Sequence, residues 1–253
     1  MQLKNLRVSA VKYANTYPFI FGLTETGFDK KVFLETDHPA VCAAKVISGK
    51  ADIGLIPVGA LPFVKDYSII SDYCIGSNGR VRTVMLLSNS PLTAIKTVYL
   101  DYRSRTSVNL VKVLAKNKWK KNPEWINTTE GFDFLSLAES EGVVLIGDQC
   151  FEFENKYNFK TDLSEEWKEF SGLPFVFACW ASNRKLDKSF TDEFNEVMKF
   201  GVHDIPGVVK KYGSTGTIRG QELKNYLTTN IDYNLNSEKK RGMELFLKLM
   251  SEL

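Results

Sequence analysis

Cysteine and histidine are both scarce in this chain of 253 residues. The four cysteines are far apart and none belongs to a C-x-x-C pair; they are Cys42, Cys74, Cys150 and Cys179. Only two histidines are available as further ligands. Zinc sites and dithiol redox centres need closely spaced thiol or imidazole groups. The sequence therefore predicts neither a metal site nor a redox motif.

Long apolar runs are also missing. No segment has the length and hydrophobicity of a transmembrane helix, and the N-terminus lacks the pattern of a signal peptide. We therefore expect a cytoplasmic protein with free thiols and no membrane partner. The formal net charge is only +3 and the charged residues are spread evenly, which argues against a nucleic-acid partner.

Motifs of several common enzyme classes are absent as well. The chain has no G-x-x-x-x-G-K-[ST] phosphate loop, and no G-x-G-x-x-G follows a predicted strand, so ATP use and dinucleotide binding are disfavoured. His38 precedes a predicted helix and His203 lies near a helix end, and neither adjoins a predicted cleft motif. We expect no catalytic histidine and no nucleophile–histidine triad.

The composition that remains is that of a globular protein, with 43% hydrophobic and 25% charged residues. Short β-rich runs alternate with helical stretches, which is typical of an α/β fold with largely parallel sheets. Predicted strands cover residues 6–13, 30–37, 51–58, 96–102 and 141–148, and predicted helices cover residues 39–48, 105–117, 131–139, 187–201 and 236–250.

Two further apolar runs, 80–89 and 172–182, are each followed by a change of register and a polar segment. We interpret them as two crossings of the chain between lobes. Residues 1–89 and 176–253 then form one lobe and residues 90–175 the second, with a ligand cleft between them. Ligands of open α/β sheets bind beyond the carboxyl ends of the strands, so the residues at those ends are candidates for the site.

One such strand end is the polar turn formed by Ser104, Arg105, Thr106 and Ser107, which leads into a predicted helix. Free backbone N–H groups gather at a helix start and bind carboxylate or phosphate without a metal. The simpler alternative is that Ser104 or Thr106 only caps its own helix.

Three other segments offer further candidates. Gly76 allows close approach of the backbone beside Ser77, although a plain hairpin also explains this turn. Asp148 follows Gly147 at the end of a buried strand and either caps the next helix, which is the favoured alternative, or faces the cleft. Asn15 either binds a hydroxyl or carboxylate or caps the helix that follows it.

Six tracts are distributed over nearly the whole chain: KYANTYP (12–18), GKADIGLIPV (49–58), CIGSNGRVRTVMLLS (74–88), YLDYRSRTS (99–107), LIGD (145–148) and GLPFVFACW (172–180). In order and spacing they resemble the menaquinone-biosynthetic chorismate dehydratases of the futalosine pathway. The C-terminal tract YLTTNIDYNLNSEKKRGMELF is also similar to the ending of that family. The resemblance implies the two-lobe fold of type II periplasmic binding proteins, which enzymes share with transport proteins.

The resemblance also implies an activity, the removal of water from chorismate to give 3-[(1-carboxyvinyl)oxy]benzoate without a metal or an organic cofactor. Donors that hold the ring carboxylate would acidify the ring hydrogen beside the ether. The candidate substrate-binding residues are Ser104, Arg105, Thr106, Ser107, Gly76 and Gly147, and the candidate catalytic residues are Asn15, Ser77 and Asp148. The base is either Asp148 or the enolpyruvyl carboxylate of the substrate, and we favour the second.

Three alternatives compete with this interpretation. The 1,4-dihydroxy-6-naphthoate synthase of the same pathway is expected to use a histidine in its second lobe, and residues 90–175 contain none. A non-catalytic anion-binding protein of the same fold would carry a secretion signal, and a regulator would carry a helix-turn-helix before the first strand. We therefore expect the dehydratase. No feature of the sequence indicates an oligomeric state.

Overall fold

A computed structural model describes residues 6–253, so residues 1–5, which the predicted first lobe includes, lie outside the described residues. Two sheets form its framework. The first contains β1 (Arg7–Val11), β2 (Phe33–Asp37), β3 (Ile53–Pro57), β4 (Ser68–Ser77), β10 (Phe175–Ser182) and β11 (Asp232–Asn234), and the second contains β5 (Val84–Ser88), β6 (Thr97–Leu100), β7 (Glu124–Asn127), β8 (Glu141–Ile146) and β9 (Phe159–Asp162).

Helices connect and cover these strands. They are α1 (Tyr17–Glu25), α2 (Pro39–Ile47), α3 (Thr106–Leu114), α4 (Gln149–Phe153), α5 (Leu163–Ser171), α6 (Lys188–His203), α7 (Ile205–Tyr212), α8 (Gly220–Asn225) and α9 (Ser237–Ser251). In the described part of the chain, no helix is both long and apolar enough to cross a membrane.

Each sheet is mixed, in the orders β11-β4-β10-β3-β1-β2 and β7-β6-β8-β5-β9. Strand β1 runs parallel to β2 and β3, and β6 runs parallel to β7 and β8. The strands next to the crossings run the other way, because β10 is antiparallel to β3 and β4 and β5 is antiparallel to β8 and β9. The α/β prediction is confirmed, whereas the expectation of largely parallel sheets is wrong.

The first crossing lies earlier than the sequence indicated. Leu86 of β5 pairs with Val144 of β8 and with Thr161 of β9, so β5 belongs to the second sheet although the prediction ended the first lobe at residue 89. All five residues of β5 are buried, as in a central strand covered on both faces. The chain crosses between the sheets before Val84. At the return crossing the predicted lobe bound stays a prediction.

The predicted helix at 131–139 is wrong. These residues form turns, and Gly131 has a positive φ of 82°. Phe132 packs on Tyr99, with ring centroids 4.8 Å apart, and also on Phe134. The apolar side chains are therefore used to cover the outer face of the second sheet, and a glycine in the left-handed region favours a turn at this point.

A single apolar core continues from the first sheet into the second. At the return crossing, Trp167 of α5, Phe175 of β10 and Phe246 of α9 pack edge to face, and the Trp167–Phe175 and Phe175–Phe246 ring centroids are 5.4 and 5.0 Å apart. Aromatic rings in this geometry add to the stabilisation that burial gives. The two sheets are thus packed together along this side of the molecule.

Candidate active site

A cavity lies where the two sheets face each other. Its wall combines apolar side chains with a few hydroxyl and amide groups, and no Lys, Arg, Asp or Glu of the described chain belongs to it. The lining residues are Val11, Tyr13, Asn15, Thr16, Pro39, Leu55, Pro57, Ile75, Val81, Thr83, Val84, Ser104, Thr106, Ser107, Ile146, Gly147, Phe177 and Ala178. An apolar wall with a few polar groups is typical of small-molecule sites.

Four strand ends converge on this cavity. Asn15 follows β1, Pro57 ends β3, Ser104 follows β6 and Gly147 follows β8. The sequence predicts that residues at strand ends meet at one cleft, because the carboxyl ends of parallel strands meet at the same edge of a sheet. The convergence of these strand ends is confirmed.

Asn15 lies in a short 3-10 turn between β1 and α1. The Thr16 hydroxyl fixes the turn by bonding to the Val11 and Tyr13 carbonyls at 2.5 and 2.7 Å, and the Tyr233 hydroxyl donates to the Asn15 carbonyl at 2.9 Å. No side chain caps α1, so the capping role considered for Asn15 is wrong. Within residues 6–253, Asn15 Oδ1 is buried and has no hydrogen-bond partner. A buried acceptor without a partner is costly, and a ligand donor would satisfy it.

Asp148 does not cap α4 with its side chain, so the favoured capping role is wrong. Its carboxylate instead accepts the Ala14 N–H, at 3.1 and 3.2 Å for the two oxygens, across 134 positions of the sequence. Burial raises the pKa of Asp148 to about 6, and the bond from Ala14 opposes the rise. Asp148 is outside the lining set of the cavity. It joins the two sheets beside the cavity.

Gly147 has a positive φ of 69°, and a Cβ built on it would lie 2.8 Å from the Tyr13 ring. A larger residue would therefore displace Tyr13 from the wall. The Tyr13 hydroxyl is 3.4 Å from Nδ1 of His38. The expectation that His38 does not adjoin the site is wrong. Burial, with the Lys12 and Arg103 charges nearby, lowers the pKa of His38.

The predicted anion-binding turn lies at the start of α3. Ser104 Oγ accepts the Ser107 N–H at 3.1 Å, so Ser104 does cap the helix. Thr106 Oγ1 accepts the Gly59 N–H at 3.1 Å and donates to the Phe177 carbonyl at 3.0 Å, which ties α3 to the first lobe. Ser107 lines the cavity, and its hydroxyl makes no hydrogen bond to another described residue.

Besides Asp148, three predicted site residues lie away from the cavity wall. Arg105 is exposed, and its guanidinium stacks over the Phe63 ring at 5.8 Å. Ser77 is fully buried, with its hydroxyl 2.5 Å from that of Ser164. A Cβ on Gly76 would lie 2.8 Å from the Phe175 carbonyl. The predicted turn fails here because β4 continues through Ser77 and pairs with β10, which leaves Gly76 and Ser77 inside the sheet.

Sequence reasoning missed two residues of this site. Thr83 lies immediately before β5, lines the cavity, and has its hydroxyl 2.8 Å from that of Tyr226. The tract 74–88 contains Thr83, and the position directly before a buried strand is the signal that was available. No local signal identifies Tyr226, which reaches Thr83 across 143 positions of the sequence.

Two sheets joined by two crossings around a cavity place the chain among proteins of the periplasmic-binding-protein fold. The structure is similar over 98% of this chain to 97% of a protein from Archaeoglobus fulgidus, with a TM-score of 0.74 and 15% identity. It is also similar, with a TM-score of 0.65 and 12% identity, to a Candida albicans protein described as having the generic periplasmic binding protein fold; 98% of this chain and 90% of that one are covered. The predicted fold is confirmed.

A family model described as menaquinone biosynthesis matches residues 6–252, and the chain belongs to that family. It is 27% identical over 261 residues to the chorismate dehydratase of Thermus thermophilus, with 94% of this chain and 93% of that protein covered. A second relative, the chorismate dehydratase of Campylobacter jejuni, is 26% identical over 121 residues, which is 46% of this chain and 52% of that protein. The family resemblance stated from the six tracts is confirmed.

Proposed function

We propose that the protein is a chorismate dehydratase, a carbon–oxygen lyase that forms 3-[(1-carboxyvinyl)oxy]benzoate and water in menaquinone biosynthesis. The similarity to the Thermus thermophilus chorismate dehydratase, which extends over nearly the full length of both chains, carries this proposal. The cavity supports it, since four strand ends surround a space with polar groups of the kind that the substrate needs.

The cavity suits a small dianion with one hydroxyl group. Its wall has no charged side chain among the described residues, so carboxylates would be held by hydroxyl groups and by the N–H groups at the start of α3. A helix N-terminus carries partial positive charge, and α3 begins at Thr106 in the cavity wall. We assign the ring carboxylate to this end of the cavity, with Ser107 as a hydroxyl donor.

The reaction removes a proton from the ether-bearing ring carbon and a hydroxyl group from its neighbour, which leaves as water. Electrons from the broken C–H bond spread through the diene to the ring carboxylate, and loss of the C–O bond makes the ring aromatic. Donors already positioned at that carboxylate stabilise the developing charge, and one such donor contributes about 3 kcal/mol to barrier lowering. The protein therefore acts by positioning and electrostatics.

The base in this proposal is the enolpyruvyl carboxylate of the substrate. Asp148, the alternative, already accepts the Ala14 N–H and is not part of the cavity wall. The substrate carboxylate is attached through the ether to the carbon that loses its proton, so the cavity only needs to hold it in a reactive orientation.

Asn15 and Thr83 are assigned to the leaving hydroxyl. The unpartnered Asn15 Oδ1 is a buried acceptor in the wall, and Thr83 lines the same cavity. Thr83 takes the place that the sequence gave to Ser77, whose hydroxyl is engaged with Ser164. A hydroxyl group can donate to the first residue and accept from the second.

The test is incubation of the purified protein with chorismate, without added cofactor, while diene absorbance and product mass are followed. We expect the absorbance to fall and a product lighter by one water to appear. Tight binding without turnover would overturn the proposal in favour of an anion-binding protein. No interaction at all would favour the 1,4-dihydroxy-6-naphthoate synthase.

Several expectations from the sequence stay predictions. These are the cytoplasmic location, the independence from metal and organic cofactors, and the absence of nucleic-acid and membrane partners. Activity of the protein after dialysis against a chelator would test the prediction on metals.

A further inference from the structure

Tyr226 lies behind the cavity wall, between two of its polar residues. It follows α8, at the start of one turn of π-helix over residues 226–230, and its side chain is fully buried. Its hydroxyl is 2.8 Å from Thr83 Oγ1. The Asn15 side chain is near enough to the phenol to oppose the rise in its pKa that burial causes. The ring packs edge to face on Phe151, with centroids 5.1 Å apart. One buried phenol thus lies between Asn15, which follows β1, and Thr83, which precedes β5.

The direction of these hydrogen bonds follows from the atoms that are available. Asn15 Oδ1 has no partner among the described residues, and the Asn15 side chain lowers the pKa of the phenol, as an N–H donor does. The NH₂ group of Asn15 is therefore the part of the amide that faces the phenol oxygen. The phenol hydrogen then needs an acceptor of its own, and Thr83 Oγ1 is within reach. The hydrogen of the Thr83 hydroxyl is therefore left for a group in the cavity.

We propose that Tyr226 is a positioning residue that fixes Asn15 as an acceptor and Thr83 as a donor toward the cavity. This inference rests on the proposed function, in which the two residues bind the leaving hydroxyl of the substrate. Without the phenol, the Asn15 amide would be free to rotate and the Thr83 hydrogen would no longer have a set direction. Tyr226 touches neither the substrate nor the reacting atoms and acts through its two neighbours.

The adjacent C-terminal residues hold the same loop through its backbone. Tyr233 is buried, and its hydroxyl donates to the Asn15 carbonyl at 2.9 Å. Its ring also packs edge to face on Phe19 of α1, with centroids 5.4 Å apart. The segment from Tyr226 to Tyr233 therefore fixes the side chain and the main chain of Asn15 by separate contacts, so removal of the Tyr226 hydroxyl leaves the main chain in place.

The test compares Tyr226→Phe with Tyr157→Phe, a matched control. Tyr157 is also buried, and its hydroxyl donates to the Phe134 carbonyl in a separate apolar cluster of the second lobe. Both variants lose the one hydrogen bond that the phenol donates, so we expect decreases in melting temperature of similar size. Only Tyr226→Phe should lower kcat, by about tenfold or more with little change in KM, because a misplacement of about 1 Å at a reacting centre can cost roughly 10²-fold in rate. Equal kcat values for the two variants would overturn the inference.

A second readout does not depend on turnover. The side-chain amide signals of Asn15 in a ¹H–¹⁵N spectrum can be assigned by their loss in Asn15→Ala. We expect them to shift in Tyr226→Phe and to remain in place in Tyr157→Phe. If the wild-type protein fails to dehydrate chorismate, the proposed function is wrong. The Asn15 amide signals then remain as the test of whether Tyr226 positions Asn15. Unchanged Asn15 signals in Tyr226→Phe would contradict the positioning role.

Discussion

Asp162 has a buried carboxylate and Asp148 a partly buried one, and each joins two distant parts of the chain, but with different numbers of partners. Asp162 Oδ2 accepts the N–H groups of Val81 and Arg82 at 3.0 and 2.7 Å, and its Oδ1 accepts those of Ser164 and Glu165 at 3.0 and 3.2 Å. Asp148 shares a single N–H, that of Ala14, between its two oxygens.

The difference in the number of hydrogen bonds distinguishes a strongly held contact at Asp162 from a weaker contact at Asp148. Asp162 holds the first crossing against the start of α5, and both of its oxygens are saturated by backbone donors. Burial raises the pKa of both carboxyl groups, and at Asp162 four backbone hydrogen bonds oppose the rise. Separation of Asp148 from Ala14 would therefore break one backbone hydrogen bond, whereas separation of Asp162 from its partners would break four.

The largest effect is expected for Asp162→Asn. An amide group presents one oxygen and one NH₂, so two of the four backbone N–H groups would face a donor and lose their acceptor. We expect the free energy of unfolding to fall by about 3 kcal/mol or more. Denaturant unfolding at neutral pH measures this, with Asp148→Asn as the matched control, where a loss below about 1 kcal/mol is expected. Equal losses of unfolding free energy in the two variants would show that the contact at Asp162 is no stronger than the contact at Asp148.

Asn15→Ala extends the comparison to the contact at Asp148, since Asn15 directly follows Ala14, whose N–H group Asp148 accepts. We expect turnover of chorismate to fall about 100-fold, as for loss of one positioned polar group. Stability should change little, because removal of a buried acceptor that has no partner in the described chain offsets the lost contact with Tyr226. Initial rates and denaturant unfolding measure the two quantities. Normal turnover would show that Asn15 has no part in the reaction.

Asp148→Asn should change the pH dependence of stability in a defined direction. The pKa of Asp148 is raised from 3.8 to about 6 in the folded protein, which therefore binds more protons than the unfolded chain between these values. The carboxyl group then lowers the free energy of unfolding as pH rises through this window. Stability of Asp148→Asn relative to the wild type should increase from pH 4 to pH 6 and level off above it. A stability difference between Asp148→Asn and the wild type that is constant from pH 4 to pH 6 would show that burial does not raise the pKa of Asp148.

The smallest effect is expected for the turnover of Asp148→Asn at neutral pH. The amide oxygen can still accept the Ala14 N–H, so the contact between the lobes is kept. We expect a loss of less than about tenfold, whereas removal of a general base costs about two to four powers of ten. A loss in that larger range would make Asp148 the base and would overturn the assignment to the substrate carboxylate.

Local patterns were enough to predict the strand ends that surround the cavity. The buried run before Gly147 and the polar turn at Ser104 each follow from hydrophobic periodicity and helix-start chemistry. Because neighbouring parallel strands run in the same direction, these strand ends then lie at the same edge of the sheet. The same local reasoning misplaced Ser77, because the glycines around it suggested a turn while pairing with β10 keeps the strand extended.

The remaining errors concern contacts between distant parts of the chain. Asp148 has the position of a helix cap, but its acceptor capacity is used by Ala14, 134 positions away. Tyr226 has no local feature that distinguishes it from a core aromatic residue, and its role depends on Thr83 and Asn15. A polar side chain can form its hydrogen bond with a neighbour in the sequence or with a residue far along the chain. The local sequence does not decide between these two partners.

The neutral wall of the cavity also has a consequence for product release. In the proposed reaction, substrate and product both carry two carboxylates, so ion pairs from lysine or arginine would hold them about equally well. The leaving hydroxyl distinguishes them, because it donates to Asn15 and accepts from Thr83 in the substrate and is absent from the product. A wall without charged side chains thereby favours departure of the aromatic product over its retention as an inhibitor.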